Sequence, residues 1–249
     1  MIVTERTKAS LTQFLDLFAQ DVVHVLLEKH GVFIWSYNQI EINKALSDAD
    51  QKSMEPLIEE VVRTKGDLRN RVSPRYRFDE RWNDLEKCLL LDGYKVKGSD
   101  VVRIEPVIES TEPVEDDLSK ELQSSHLSSA GDVIRHINLS AEAFRRTTPD
   151  YNGCLSHARI ALETVVRAIA ENKGLSLEAG TKAWGKSLRH LVTKGFFEEK
   201  EENAIASSYT FISDGSHVPI GFTEEEFARF GRNLATSVCY FIVKKFNGQ

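Results

Sequence analysis

Apolar residues recur at three- and four-residue steps along most of the chain, and that spacing predicts helices. In residues 10–30 the repeat is Leu11, Phe14, Leu15, Phe18, Val22, Val25 and Leu26, with Ser10 as N-cap and Gly31 as the stop. Phe33, Ile34 and Trp35 then continue the core in a loop. A second helix is predicted over residues 47–64, capped by Ser47, with Leu57, Ile58, Val61 and Val62 inward; Pro56 is expected to split or restart it. A third covers residues 79–91 with Trp82, Leu85, Cys88 and Leu89 inward, and Asp92-Gly93 ends it. Two short apolar runs around Gly98-Ser99-Asp100 then read as a β-hairpin. Helix followed by hairpin gives residues 1–104 a winged-helix-like outline.

The pattern changes after Arg103. Seven acids (Glu105, Glu109, Glu112, Glu115, Asp116, Asp117 and Glu121) stand against one base, Lys120, with Pro106 and Pro113 among them. Residues 105–130 therefore read as an acidic linker. Residues 131–249 return to helical spacing throughout. Helices are predicted from Asp132 to Arg146, from Pro149-Asp150 to Asn172, from Trp184 to Val192 and from Glu198 to Phe211. The last runs to Phe246 from the capping box Thr223-Glu224-Glu225-Glu226. The fold class is mainly α: a small N-terminal helical module with a hairpin, and a C-terminal helical bundle.

Composition narrows the chemistry. The net charge of −6 means that any nucleic-acid contact must come from a local patch rather than the whole surface. Cys88, Cys154 and Cys239 are far apart, with no CxxC pair, so they read as buried free thiols of a reducing cytosol, without zinc or disulfides. No apolar run approaches the roughly 18 residues of a membrane span. There is no signal-peptide layout at Met1–Arg6, and a cytoplasmic location is expected. Glycine-rich phosphate loops, GxSxG and HExxH are absent, and the histidines are too scattered for a metal site. No cofactor is expected.

Three constellations remain. The first is the turn Ser213-Asp214-Gly215-Ser216-His217, where His217 can exchange protons near neutral pH and Asp214 can orient it. Such residues also simply close turns. The second is the helix face His157-Ala158-Arg159-Ile160-Ala161-Leu162-Glu163. Arg159 and Glu163 could pair across one helical turn, or Arg159 or His157 could face the polar turn. The third is the basic run Arg63, Lys65, Arg69, Arg71, Arg75, Arg77 and Arg81, interleaved with Tyr76 and Phe78. Arg69, Arg71, Arg75 and Arg77 are its candidates for nucleic-acid phosphates, by the bidentate geometry of guanidinium. A solvated loop, or pairing with the acidic linker, is the plain alternative.

The stretch from Cys154 to Glu163, the helix ending at Ser213–His217 and the closing helix from Phe227 to Phe246 together resemble the HEPN superfamily. The resemblance is closest to the C-terminal HEPN domains of bacterial abortive-infection proteins and covers about 115 residues. It implies a helical bundle that dimerises. It also implies, for active members, metal-independent RNA cleavage by an arginine and a histidine four to six residues apart, meeting a symmetry-related pair at the dimer interface. The histidine would be His217. The arginine would fall at Thr210, Phe211 or Ile212, and none of these is arginine. Either the domain is inactive, or an arginine from elsewhere, Arg159 or Arg229, replaces it. The resemblance thus implies a phage-defence or toxin–antitoxin protein with Ser213, Asp214, His217 and Arg159 as its catalytic set. The alternative is an inactive regulatory subunit that binds nucleic acid or protein.

Overall fold

The computed structural model describes residues 1–104, 113–176, 184–213 and 218–248. It is mainly helical, with twelve helices and one two-stranded hairpin among the described residues, and the chain divides into two compact units, Met1–Pro113 and Val114–Gln249.

In the first unit, α1 (Glu5–Leu15) starts at Thr4, whose hydroxyl accepts from the Thr7 amide at 3.3 Å. It does not continue into α2 (Gln20–Lys29) as the periodicity predicts. The chain turns at Asp16–Ala19, and the buried stripe slips by one residue. Val23, Leu26 and Leu27 face inward, while Val25 is 65% exposed. Ser10 is no cap: it is buried inside α1 and donates to Asp84 at 2.6 Å. Helix α3 (Gln39–Asp48), capped by Asn38, lies where a loop and the start of the second helix are predicted, and Ser47 falls within its last turn. Helix α4 (Gln51–Arg63) is capped by Asp50 and runs through Pro56 unbroken. The carbonyl that Pro56 leaves without an amide is that of Lys52, in an exposed first turn open to solvent.

Helix α5 (Lys65–Asn70) and helix α6 (Arg75–Leu91) follow, the latter starting four residues earlier than predicted. Phe14 meets Phe78 and Trp82 of α6 edge-on, Phe18 meets Phe78 edge-on, and Phe78 stacks on Trp82 within α6, at centroid distances of 5.2 to 6.4 Å; these rings form the centre of this core. The predicted hairpin is present: β1 (Tyr94–Lys97) pairs antiparallel with β2 (Asp100–Arg103). Gly98, at φ 64°, supplies the left-handed position that its two-residue turn requires.

The second unit comprises α7 (Val114–Ser124), α8 (Ala130–Arg145), α9 (Tyr151–Asn172), α10 (Trp184–Thr193), α11 (Glu199–Ser213) and α12 (Glu224–Asn247). Helix α9 is its axis: Ala158, Ala161, Leu162, Val165, Val166 and Ile169 are fully buried against α8, α10, α11 and α12. Its start at Asp150 and the α12 capping box at Thr223 and Glu226 are as predicted. Gly231 lets α12 approach closely, since a Cβ there would lie 2.6 Å from Leu155. The acidic stretch read as linker is corrected in part. Residues 114–124 are helical, because Leu118 and Leu122 are buried against this unit's core and Glu115 and Glu121 pair with Arg232 and Lys244 of α12.

Candidate functional site

The three cysteines are buried and free. Burial raises the Cys154 and Cys239 thiols, the latter to about 12, so neither is a nucleophile at neutral pH. No helix among the described residues is long and apolar enough to cross a membrane. Among the same residues no three His, Cys, Asp or Glu side chains gather as metal ligands would.

Of the polar turn, Asp214, Gly215, Ser216 and His217 lie outside the described residues. Ser213 is the last residue of α11, and its hydroxyl donates back to the Tyr209 carbonyl at 2.6 Å, the usual use of a serine at a helix end. Tyr209 marks the point where α11 meets α9. Its ring stacks on Trp184 at 4.0 Å and its hydroxyl donates to Glu163 at 3.4 Å. Burial and the Glu163 carboxylate raise the Tyr209 pKa, and Arg159 acts on it in the opposite sense.

That geometry settles how the α9 face is arranged. Glu163 bonds Tyr209 and does not pair with Arg159, one turn away. Arg159 is half-buried, with Nε shielded from solvent and without a hydrogen-bond partner among the described residues. A buried guanidinium N–H without an acceptor is unusual and costly. It lies beside α11, one turn from the end at which the polar turn departs. His157 faces the other way: its Nδ1 is 3.1 Å from Nδ1 of His136 on α8. Burial first, then the charge of Arg135 and the neighbouring His157, hold His136 below the usual imidazole range. Arg229, on α12, has a polar or ring contact of its own.

Two features were not visible in the sequence. Phe211, Phe222 and Phe230 are 39 to 49% exposed where α11 ends and α12 begins, with Phe211 edge-on to both Phe227 and Phe230. Beside them, Tyr151, Leu155, Val218 and Phe227 line a cavity of about 280 Å³ whose rim includes Asp150 and Glu224. Periodicity identifies α12 as apolar but does not say which of its rings stay outside.

The basic run in the first unit is sorted by its partners. Arg69 grips Asp79 through Nε and a terminal nitrogen at 2.6 and 2.7 Å. Lys65 lies over the Trp82 ring and near Glu86, and Arg81 donates to Gln13. Phe78 is core, so Tyr76 is the exposed aromatic of this run. No family model, curated protein or solved structure matches the chain.

Proposed function

We propose that the second unit is a HEPN-like bundle that pairs with a second copy, and that the chain cleaves RNA without a metal ion, in a bacterial phage-defence or toxin–antitoxin setting. The observation that carries this reading is Arg159. It is an arginine without an ion-pair partner among the described residues, acting on Tyr209 one turn before the end of α11, where the motif lacks an arginine of its own. Arg159 donates to a non-bridging phosphate oxygen as negative charge builds there. His217 takes the proton of the ribose 2′-hydroxyl as that oxygen attacks the adjacent phosphorus, or returns one to the departing 5′-oxygen. The products are a 2′,3′-cyclic phosphate and a 5′-hydroxyl end. The exposed rings Phe211, Phe222 and Phe230 support pairing at this edge. In the first unit, α6 leading into the β1–β2 hairpin supports a winged-helix-like module for recognition.

The test is end-labelled single-stranded RNA incubated with the purified chain in EDTA. Cleavage is expected for the wild type, and loss of it for His217→Ala and for Arg159→Ala. RNA left intact by the wild type, or cut equally by His217→Ala, removes the enzyme reading and leaves the bundle as an inactive binding platform.

A further inference from the structure

We infer that the start of α6 is a docking surface for single-stranded nucleic acid, with Arg71, Arg75 and Arg77 on the phosphates and Tyr76 beneath a base. The inference uses no residue of the second unit and stands apart from the cleavage reading.

Five arginines lie in residues 69–81: Arg69, Arg71, Arg75, Arg77 and Arg81. Arg69 is held by Asp79, and Arg81 by Gln13. Arg71, Arg75 and Arg77 are exposed and make no side-chain hydrogen bond among the described residues, although the charge of Arg75 acts on the Asp79 carboxylate one turn on. They do nothing for the core, to which α6 contributes Phe78 and Trp82. Helix formation disfavours them too. A helix N-terminus carries partial positive charge, and acids are the residues that stabilise it. Helix α6 has no acid in its first turn and no side-chain cap, because Pro74 holds the cap position. Two cations, Arg75 and Arg77, thus sit in the first turn of a 17-residue helix where cations are unfavourable, and Arg71 precedes them at the end of α5. An anion resolves that conflict.

The chemistry of the anion follows from the side chains. Guanidinium groups match phosphate oxygens two at a time, which a point-charge ammonium does not. Tyr76 stands between Arg75 and Arg77 and is 62% exposed, large for a ring that could have been buried. An exposed ring flanked by arginines is a platform for a base, and stacking on it tolerates any sequence. The base face must be free, so a single strand fits and a duplex does not. Glu80, exposed one turn further on, bounds the surface on that side.

The experiment measures fluorescence anisotropy of a short labelled RNA with 2′-O-methyl riboses, which cannot be cleaved through the 2′-oxygen, titrated with the full chain at several salt concentrations. Saturable, salt-sensitive binding is expected. Changing Arg71, Arg75 and Arg77 together to Ala should weaken it at least tenfold and flatten the salt dependence by about two counterions, at roughly 0.7 for each phosphate no longer neutralised. Tyr76→Ala should weaken it by about tenfold, from the loss of one stacked base. Lys44→Ala, which removes a single charge on α3, should change little, and circular dichroism of each variant should match the wild type. No binding at low salt, or a triple variant that binds like the wild type, overturns the proposal. Equal affinity for a hairpin duplex with no effect of Tyr76→Ala overturns the single-strand assignment. Displacement of the RNA by poly-glutamate or phosphatidylserine vesicles at equal charge shows a general anion surface and also overturns it. Binding without cleavage of ordinary RNA leaves this surface standing and removes only the cleavage reading.

Discussion

Arg232, in the third turn of α12, and Glu115, in the first turn of α7, form an ion pair out of water: the arginine side chain is 3% exposed and the carboxylate 11%. The two lie 117 positions apart in sequence, so the pair fixes the acidic helix to the closing helix of the same unit. Removing one partner leaves a charge without compensation in a low-dielectric site, which costs roughly 3–5 kcal/mol. Glu115→Ala should therefore lower the unfolding free energy by about that amount. Replacing both residues with apolar ones of similar volume should recover most of it, because the desolvation cost disappears with the charges. Urea unfolding of the two variants beside the wild type decides this. A Glu115→Ala protein as stable as the wild type would show that α7 is not docked through this pair.

The same pair explains why α7 was not legible. Seven acids and two prolines in a row look like a linker because nothing local offsets the charge. The compensating cations, Arg232 and Lys244, arrive from the far end of the chain. The break between α1 and α2 was hidden for a different reason. The apolar steps continue through Phe18 although the helix does not, and only the tertiary packing shows that Val25 has turned outward. Where the signal is local, the reading succeeds: the Thr223–Glu226 capping box, Asp150 at the start of α9 and Gly98 in the hairpin turn each act within a few residues. For the candidate site, the place of Arg159 on the helix is legible, but its lack of a partner among the described residues depends on Tyr209, which draws Glu163 away.

Stability should fall as the pH drops through the ordinary imidazole value of 6.5, and His136 should be the cause. Its folded-state pKa lies below the ordinary 6.5, through burial, Arg135 and His157, with Asp132 opposing. The unfolded chain therefore takes up a proton in this window that the folded chain resists. The stabilisation is complete above the unfolded value and declines as the pH falls toward the folded one. The carboxylates with depressed pKa values, Glu60, Glu121 and Glu201 among them, matter only below their ordinary 4.5. Thermal melting of His136→Gln should be flatter with pH over this interval than that of the wild type. Parallel curves for the two proteins would assign the acid sensitivity elsewhere.

If Arg159 is the cation of the cleavage step, its freedom depends on Tyr209. Phenylalanine at 209 removes the hydroxyl that occupies Glu163 and lets that carboxylate reach Arg159 across one helical turn. Arg159→Ala should reduce cleavage by roughly 10²–10³-fold, the scale of losing one donor to a developing oxyanion. Tyr209→Phe should reduce it several-fold, and Tyr209→Phe combined with Glu163→Gln should restore it. A double variant no better than Tyr209→Phe alone would mean that the tyrosine acts through packing on Trp184 and not through the carboxylate.

Pairing with a second copy is the remaining part of the proposal, and Phe230 tests it. Its ring is 45% exposed and meets Phe211 edge-on at 5.7 Å, while Phe227, one turn earlier and 2% exposed, carries the packing into the core. Phe230→Glu therefore removes exposed apolar surface without opening the interior, and a surface change of this kind shifts monomer stability by about 0.5 kcal/mol. On the partner side the same change buries two unpaired carboxylates, one from each copy, at a two-fold interface. The wild type should sediment as a dimer at micromolar concentration and the variant as a monomer, with melting temperatures lower only by the loss of assembly. RNA cleavage should fall with the dimer fraction, since the resemblance places the paired histidines at that interface. A wild type that sediments as a monomer removes the dimer from the proposal, and a dimeric Phe230→Glu moves the interface away from this edge of α12.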